Sequence, residues 1–399
     1  MLDARPEDKI LTYVARPSLA PNSIQELRLL FQSELDWKYL IRIADQHCVV
    51  PLLCRHLEEL KVLPPASVRN VLREANHANT NSNLFLTGEL VKLLELLKAH
   101  QLEAIPFKGP TLALAAYGDI SLRQFADLDL LVRKTDVLKI KDLLVAHGFN
   151  SHLRLSRRQE TALLRFDSAW NFVNQNGVMI DVHWDLVERH FGIPFDVAGL
   201  WQRLQPVMSG GKQFQTLANE DLLLVLCLHG FTHAWERLGW ICDVAGLLER
   251  EQIDWGLLLQ NAEAQGSRRI LFLGLKLAHD LLEAELPPDV LKLVTEDSAV
   301  NNAAERMKQQ LFKTSAAPAG IFDEARLAVS LRERKLDRIS SSLRLAATPR
   351  SYDWMSVSLP SSLSFLYYLI RPLRLAGKYG TKLWQSVWRR GHEVSTTTR

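Results

Sequence analysis

The chain has 399 residues, 47% hydrophobic and 23% charged, with a formal net charge of +3. These fractions exclude collagen-like, coiled-coil and fully disordered chains, and at about 100–200 residues per domain the length predicts two or three domains. The charge is uneven: residues 331–399 carry 13 Lys/Arg against 4 Asp/Glu, a net of +9, so the rest nets −6 and a basic nucleic-acid-binding body is not indicated.

The first hundred residues read as helical. Ser23 and Glu26 have the spacing of a capping box, followed by Leu27, Leu29, Leu30 and Phe31 at helical spacing. No apolar h-region precedes them, so no signal peptide is expected. The apolar runs, such as Leu222–Leu228, fall short of the roughly 20 residues a spanning helix needs. A long helix is predicted from an N-cap at Ser67 to Ala99. Asn76, Asn79, Asn81 and Asn83 weaken its middle, which predicts a break or a polar cavity there.

At Gln101 the pattern changes. Leu102–Phe107 reads as a strand, Thr111–Tyr117 as a helix, and Asp127–Val132 as a strand by alternation. A helix capped by Thr135 or Asp136 runs to His147, closed by Gly148, and Phe149–Leu155 reads as a further strand. Asn176-Gly177 between Ala169–Asn174 and Val178–Trp184 predicts a hairpin. Beyond Asn219 the expected helices are Asp221–Ala234, Trp240–Leu248, a segment capped by Asp254 through Ala262, Arg268–Leu282, and much of Asn301–Leu345. The fold class is therefore α+β, a small mixed sheet with all-α regions before and after it. The expected regions are an N-terminal helical region (1–100), an α/β core (101–210), a C-terminal helical region (211–345) and a basic amphipathic tail (346–399). The four cysteines, Cys48, Cys54, Cys227 and Cys242, form no Cys-x-x-Cys pair and read as reduced thiols of a cytoplasmic protein.

The chemistry concentrates in the core. Asp127 and Asp129 are two apart on a predicted strand, so both carboxylates share one face. Side by side they repel, and a divalent cation with phosphate oxygens relieves that repulsion. The plain alternative is a solvated strand edge. Lys108-Gly109 lies where a strand ends and a helix begins, a place that suits a phosphate. Asp181, sharing a face with Met179 and His183, supplies a third carboxylate to hold metal or activate a hydroxyl.

Together these stretches resemble the DNA polymerase beta-like nucleotidyltransferase superfamily, and more narrowly an uncharacterised bacterial nucleotidyltransferase family within it. The matching segments are Phe107–Pro110, Arg123–Val132, Ile180–Trp184, His229–Trp235, Leu238–Asp243 and Tyr367–Pro372. The resemblance spans about Asp36 to Tyr379. It implies Mg²⁺-dependent transfer of a nucleoside monophosphate, with AMP from ATP the expected case, to an unidentified acceptor. That acceptor is a small molecule, sugar, peptide, protein or RNA. Asp127, Asp129 and Asp181 would be catalytic and would hold one or two Mg²⁺; Lys108, Gly109, Arg123 and His183 would contact the nucleotide. The chain departs from the superfamily at Pro110, which follows the glycine and has no N–H to offer a phosphate. A degraded nucleotide-binding or scaffold protein is therefore the alternative.

Several residues stay open between two readings. His229 and His233 share a helix face and, with Asp243, are candidates for the cleft, against a zinc pair or plain interior histidines. Arg123 contacts phosphate or pairs with Asp119 or Asp127. Trp235, Trp240 and Trp255 are expected to pack helices. The tail, from Leu363 through Tyr367, Arg371, Arg374, Lys378 and Lys382 to Trp388, is read as a packed helix, a peripheral membrane contact, or a dock for an acidic partner or RNA.

Overall fold

The computed structural model of the chain describes residues 5–377 apart from 17, 314–326, 334 and 358. The tail residues from Lys378 onward, and residues 314–326 within the expected Asn301–Leu345 helical stretch, lie outside the described residues. Among the described residues, no helix is long and apolar enough to cross a membrane.

Two compact units form, and they do not follow the four sequential regions read from the sequence. The larger takes Met1–His152, Ala169–Val187 and Ile193–Glu333; the smaller takes Leu153–Ser168, Glu188–Gly192 and Arg334–Arg399.

The larger unit holds a mixed sheet of β1 (Ala104–Pro106), β2 (Asp127–Val132), β3 (Phe149–Asn150), β4 (Ala169–Asn174) and β5 (Met179–His183), in the order β1-β2-β5-β4-β3. β2 and β5 are parallel and the other pairs antiparallel. The Asn176-Gly177 turn joins β4 to β5 as expected. β3 keeps only two residues of the predicted Phe149–Leu155 strand, because only Phe149 and Asn150 find partners on β4. A second hairpin, β6 (Leu204–Ser209) and β7 (Lys212–Leu217), straddles the expected core boundary at 210. Its turn is Gly210-Gly211, both at positive φ.

The N-terminal helices of this unit are α1 (Pro6–Val14), α2 (Pro21–Gln32), α3 (Trp37–Gln46), α4 (Val50–Glu59) and α5 (Ala66–Ala99). Ser23 and Glu26 form no capping box. The α2 helix starts at Pro21, and the Ser23 hydroxyl accepts from Arg16 at 3.0 Å instead. The 34-residue α5 starts at Ala66, one residue before the expected cap, and is unbroken through its asparagines. Their amides serve tertiary bonds: Asn79 donates to Ser121 O at 2.8 Å, and Asn83 donates to Ile120 O at 2.6 Å and Arg123 O at 2.8 Å. These bonds tie down the loop that leads into β2. After β1 comes α6 (Gly109–Tyr117), and α7 (Val137–Ala146) follows β2.

The helical layer of the larger unit includes α10 (Asn219–Thr232), α11 (Leu238–Arg250), α12 (Trp255–Ala264) and α13 (Arg268–Leu282); α8 (Arg157–Phe166) and α9 (Val197–Leu200) precede them in the chain. Residues 222–228 of α10 are all apolar and buried, and Gly274 of α13 lies so close to α10 that an added Cβ would stand 2.4 Å from Cys227 Sγ.

The smaller unit contains α8, a 3₁₀ turn at Arg189–Phe191 and the helix Lys335–Ala347. It is centred on Asp353, which is 0% exposed. Arg374 donates to Asp353 at 2.6 Å, and the Arg371 guanidinium lies 3.5 Å from its other oxygen. Tyr367 and Arg371 are buried, whereas Phe365, Leu369 and Leu373 are exposed.

Candidate active site

Strand alternation buries Leu128, Leu130, Ile180 and Val182 on one face of β2 and β5. Asp127, Asp129, Asp181 and His183 therefore share the opposite face. The parallel register sets Asp129 beside Asp181 and Asp127 beside Met179. Asp129 is the most enclosed of these, at 5% exposure. His183 Nε2 lies 3.1 Å from Asp129 Oδ1, and Lys108 Nζ donates to the same oxygen at 3.2 Å. Next door, Asn171 of β4 donates to Asp181 at 2.6 Å.

Lys108 is the N-cap position of α6, and Gly109 follows at φ +55°. That conformation favours glycine, and a Cβ here would stand 3.3 Å from Asp127 O. Gly109 thus lets the start of α6 lie close against β2. On the other side, Lys108 Nζ comes within 3.5 Å of His229 Nδ1.

Arg123 pairs with Asp243 rather than with Asp119 or Asp127. It forms a bidentate bond to Asp243 of α11, at 2.9 and 3.0 Å. Tyr117 donates to the same carboxylate at 2.9 Å. This buried triangle locks α6, the loop before β2 and α11 together.

One cavity of about 320 Å³ has Lys108, Arg123, Asp127, Asp129, His229, His233 and Asp243 in its lining. The sequence-predicted residues thus converge, with Asp181 and His183 joined through β5. The rings of His229 and His233 are 4.7 Å apart, and each lies 5.2 Å from Trp240. Trp240, on α11, packs against the His229 and His233 end of α10 as expected and also lines the cavity, and Trp235 is buried. No zinc set forms around the two histidines: among the described residues, the group able to hold a metal is Asp129, Asp181 and His183, with ligand atoms within 4.8 Å of one another. Two carboxylates and an imidazole suit a divalent cation.

The electrostatics are uneven. Burial, with the charges of Asp129 and Asp181, pushes the Asp127 carboxyl up to about 6, against Lys108 and Arg123. Burial would raise Asp129 as well, but Lys108 and the hydrogen bond from His183 hold it well below the usual carboxylate range. Asp181 is raised by burial and by Asp129, partly offset by Asn171. Burial, then Lys108 and His233, keep His229 neutral far below its ordinary value.

Tyr117 and Asn171 were missed in the sequence, and Asn83 was singled out there without its loop partners. Asn171 was recoverable from the hairpin: with Val173 opposite Met179, residue 171 must face 181. Tyr117 and Asn83 carry no local signal, since their partners are 126 and about 40 residues away. The four cysteines are free, and only Cys48, on the cavity wall, is less than fully buried.

Residues 33–283 match the family model of an uncharacterised nucleotidyltransferase. The match ends well short of the Tyr367–Pro372 stretch and of the expected limit at Tyr379. No curated protein and no solved structure matches the chain.

Proposed function

The chain belongs to an uncharacterised nucleotidyltransferase family, and from that premise we propose that it is a DNA polymerase beta-like enzyme moving a nucleoside monophosphate, AMP in the expected case, from a nucleoside triphosphate to an acceptor. The observation that carries this reading is the parallel pairing of Asp129 with Asp181, with Asp127 two residues before and Lys108 on Asp129. A bound divalent cation, Mg²⁺ on the family expectation, would be held by carboxylates of this group and would supply charge neutralisation at the triphosphate.

The acceptor oxygen forms a bond to the α-phosphorus, the bond to the bridging oxygen breaks, and pyrophosphate leaves with that electron pair. The acceptor proton passes to a carboxylate shifted towards neutrality. Asp127 and Asp181 both qualify. Lys108 is the cation for the triphosphate, and Gly109 allows backbone approach. For the acceptor we assign a second cavity of about 500 Å³. It shares Cys48, Gln124, Phe125, Ala126 and Arg237 with the first, and adds Asp45, Val50, Pro51 and Ala78. Its size is that of a small-molecule site.

Incubation with Mg²⁺ and α-labelled ATP, GTP, CTP and UTP, with cell extract as acceptor source, tests the reading. Label transfer and pyrophosphate release are expected from wild type and from neither Asp129→Ala nor Asp181→Ala. No label, no pyrophosphate and no nucleotide binding would sink it. Nucleotide binding without turnover would favour the second reading, a non-catalytic nucleotide-binding protein, for which Pro110 is the specific observation: it removes a donor at the start of α6.

A further inference from the structure

We propose that His183 is itself a metal ligand, and that Asp129, Asp181 and His183 form a site preferring a first-row transition cation, Mn²⁺ among them, over Mg²⁺. The inference deepens the nucleotidyl-transfer reading, although its test needs no nucleotide.

Three geometrical facts support it. Alternation along β5 puts Asp181 and His183 on one face, and the register with β2 brings Asp129 beside them. The three ligand atoms fall within 4.8 Å of one another, close to the ~4.4 Å spanned by two ligands on opposite sides of one cation. Asp127, the partner expected from the sequence, is not in that group; it faces Met179 in the register, one step back along the strand.

The imidazole is also held for the task. The Phe107 ring meets it edge to face, with centroids 5.4 Å apart and planes at 79°. Its Nε2 points at Asp129 Oδ1, the oxygen that Lys108 also reaches. Two cationic or hydrogen-bonding groups thus converge where a metal would sit, and the carboxylate beneath is almost wholly buried. Asn171 fixes Asp181 on the far side. Carboxylates alone suit Mg²⁺, whereas an imidazole in the donor set favours transition cations.

The test uses the full-length chain in metal-free buffer. Mn²⁺ is titrated by electron paramagnetic resonance, and nitrogen ligation is read from ¹⁴N modulation of the bound signal. Wild type is expected to bind Mn²⁺ with ¹⁴N modulation and to resist displacement by Mg²⁺. His183→Gln should lose the modulation and bind Mn²⁺ about tenfold more weakly or worse, by analogy with the loss of a metal's supporting ligands, with a smaller change for Mg²⁺. His183→Asp guards against a folding defect: it should still bind Mn²⁺, without modulation, and with the preference over Mg²⁺ narrowed. His229→Gln should keep the modulation. Modulation absent from wild type, or surviving in His183→Gln, would overturn the inference, as would an unchanged Mn²⁺-to-Mg²⁺ ratio in both His183 variants. Mn²⁺ ligation by His183 in a chain that transfers no nucleotide would defeat the functional reading alone. Turnover at a nitrogen-silent site would defeat this one alone.

Discussion

Asp127, given a catalytic role in the proposed function, carries a cost in stability. Its carboxyl sits at about 6 in the folded chain, against 3.8 ordinarily. The folded state therefore holds this proton more tightly than the unfolded state does. Between about pH 4 and pH 6, stability falls as pH rises, and above 6 the whole cost of the buried charge is present. Asp127→Asn should remove that cost. Urea unfolding is expected to show the variant more stable by about 2–3 kcal/mol at pH 8, with the difference closing towards pH 4, while label transfer is lost. The pattern at this position, Asp-x-Asp on a strand, was legible because alternation fixes which side chains share a face. The Arg123–Asp243–Tyr117 triangle was not, since it joins residues 120 and 126 apart.

At the scale of elements, the long α5 helix is the instructive case. Helix propensity argued for a break at its asparagines, and each one does weaken a helix by about half a kcal/mol. The helix continues because Asn79 and Asn83 satisfy loop carbonyls from outside their own element. Propensity cannot see that. Asn83→Ala leaves the carbonyls of Ile120 and Arg123 without this donor in a buried setting, at a cost of about 1–3 kcal/mol. Chemical denaturation should report that loss, and hydrogen exchange should show faster opening of 120–127 with α10 unchanged. The opposite also occurred: the Ser156–Gln159 capping box that opens α8 is a purely local signal, plain in the sequence and passed over. The Asn-Gly hairpin was read correctly because its turn chemistry and its register are both local.

For the whole molecule, the two units give two separate stability problems. In the smaller one, Asp353 faces Arg371 and Arg374 while capping its own helix through Arg350 N at 2.9 Å. Asp353→Ala strands buried arginine charge, at about 3–5 kcal/mol. Hydrogen exchange should show protection falling in 157–166 and 335–371, with α10, α11 and β2 unaltered. This unit draws on three stretches of chain, so no boundary drawn along the sequence could have found it. The parallel pairing of β2 with β5 has a consequence in time. Asp129 is synthesised 52 residues ahead of Asp181, and the two meet only after two α-helices and an antiparallel hairpin have closed the gap, against the entropy of that closure. Lys108 is made before either, so the residue that donates to Asp129 in the folded chain has already been synthesised when that aspartate emerges.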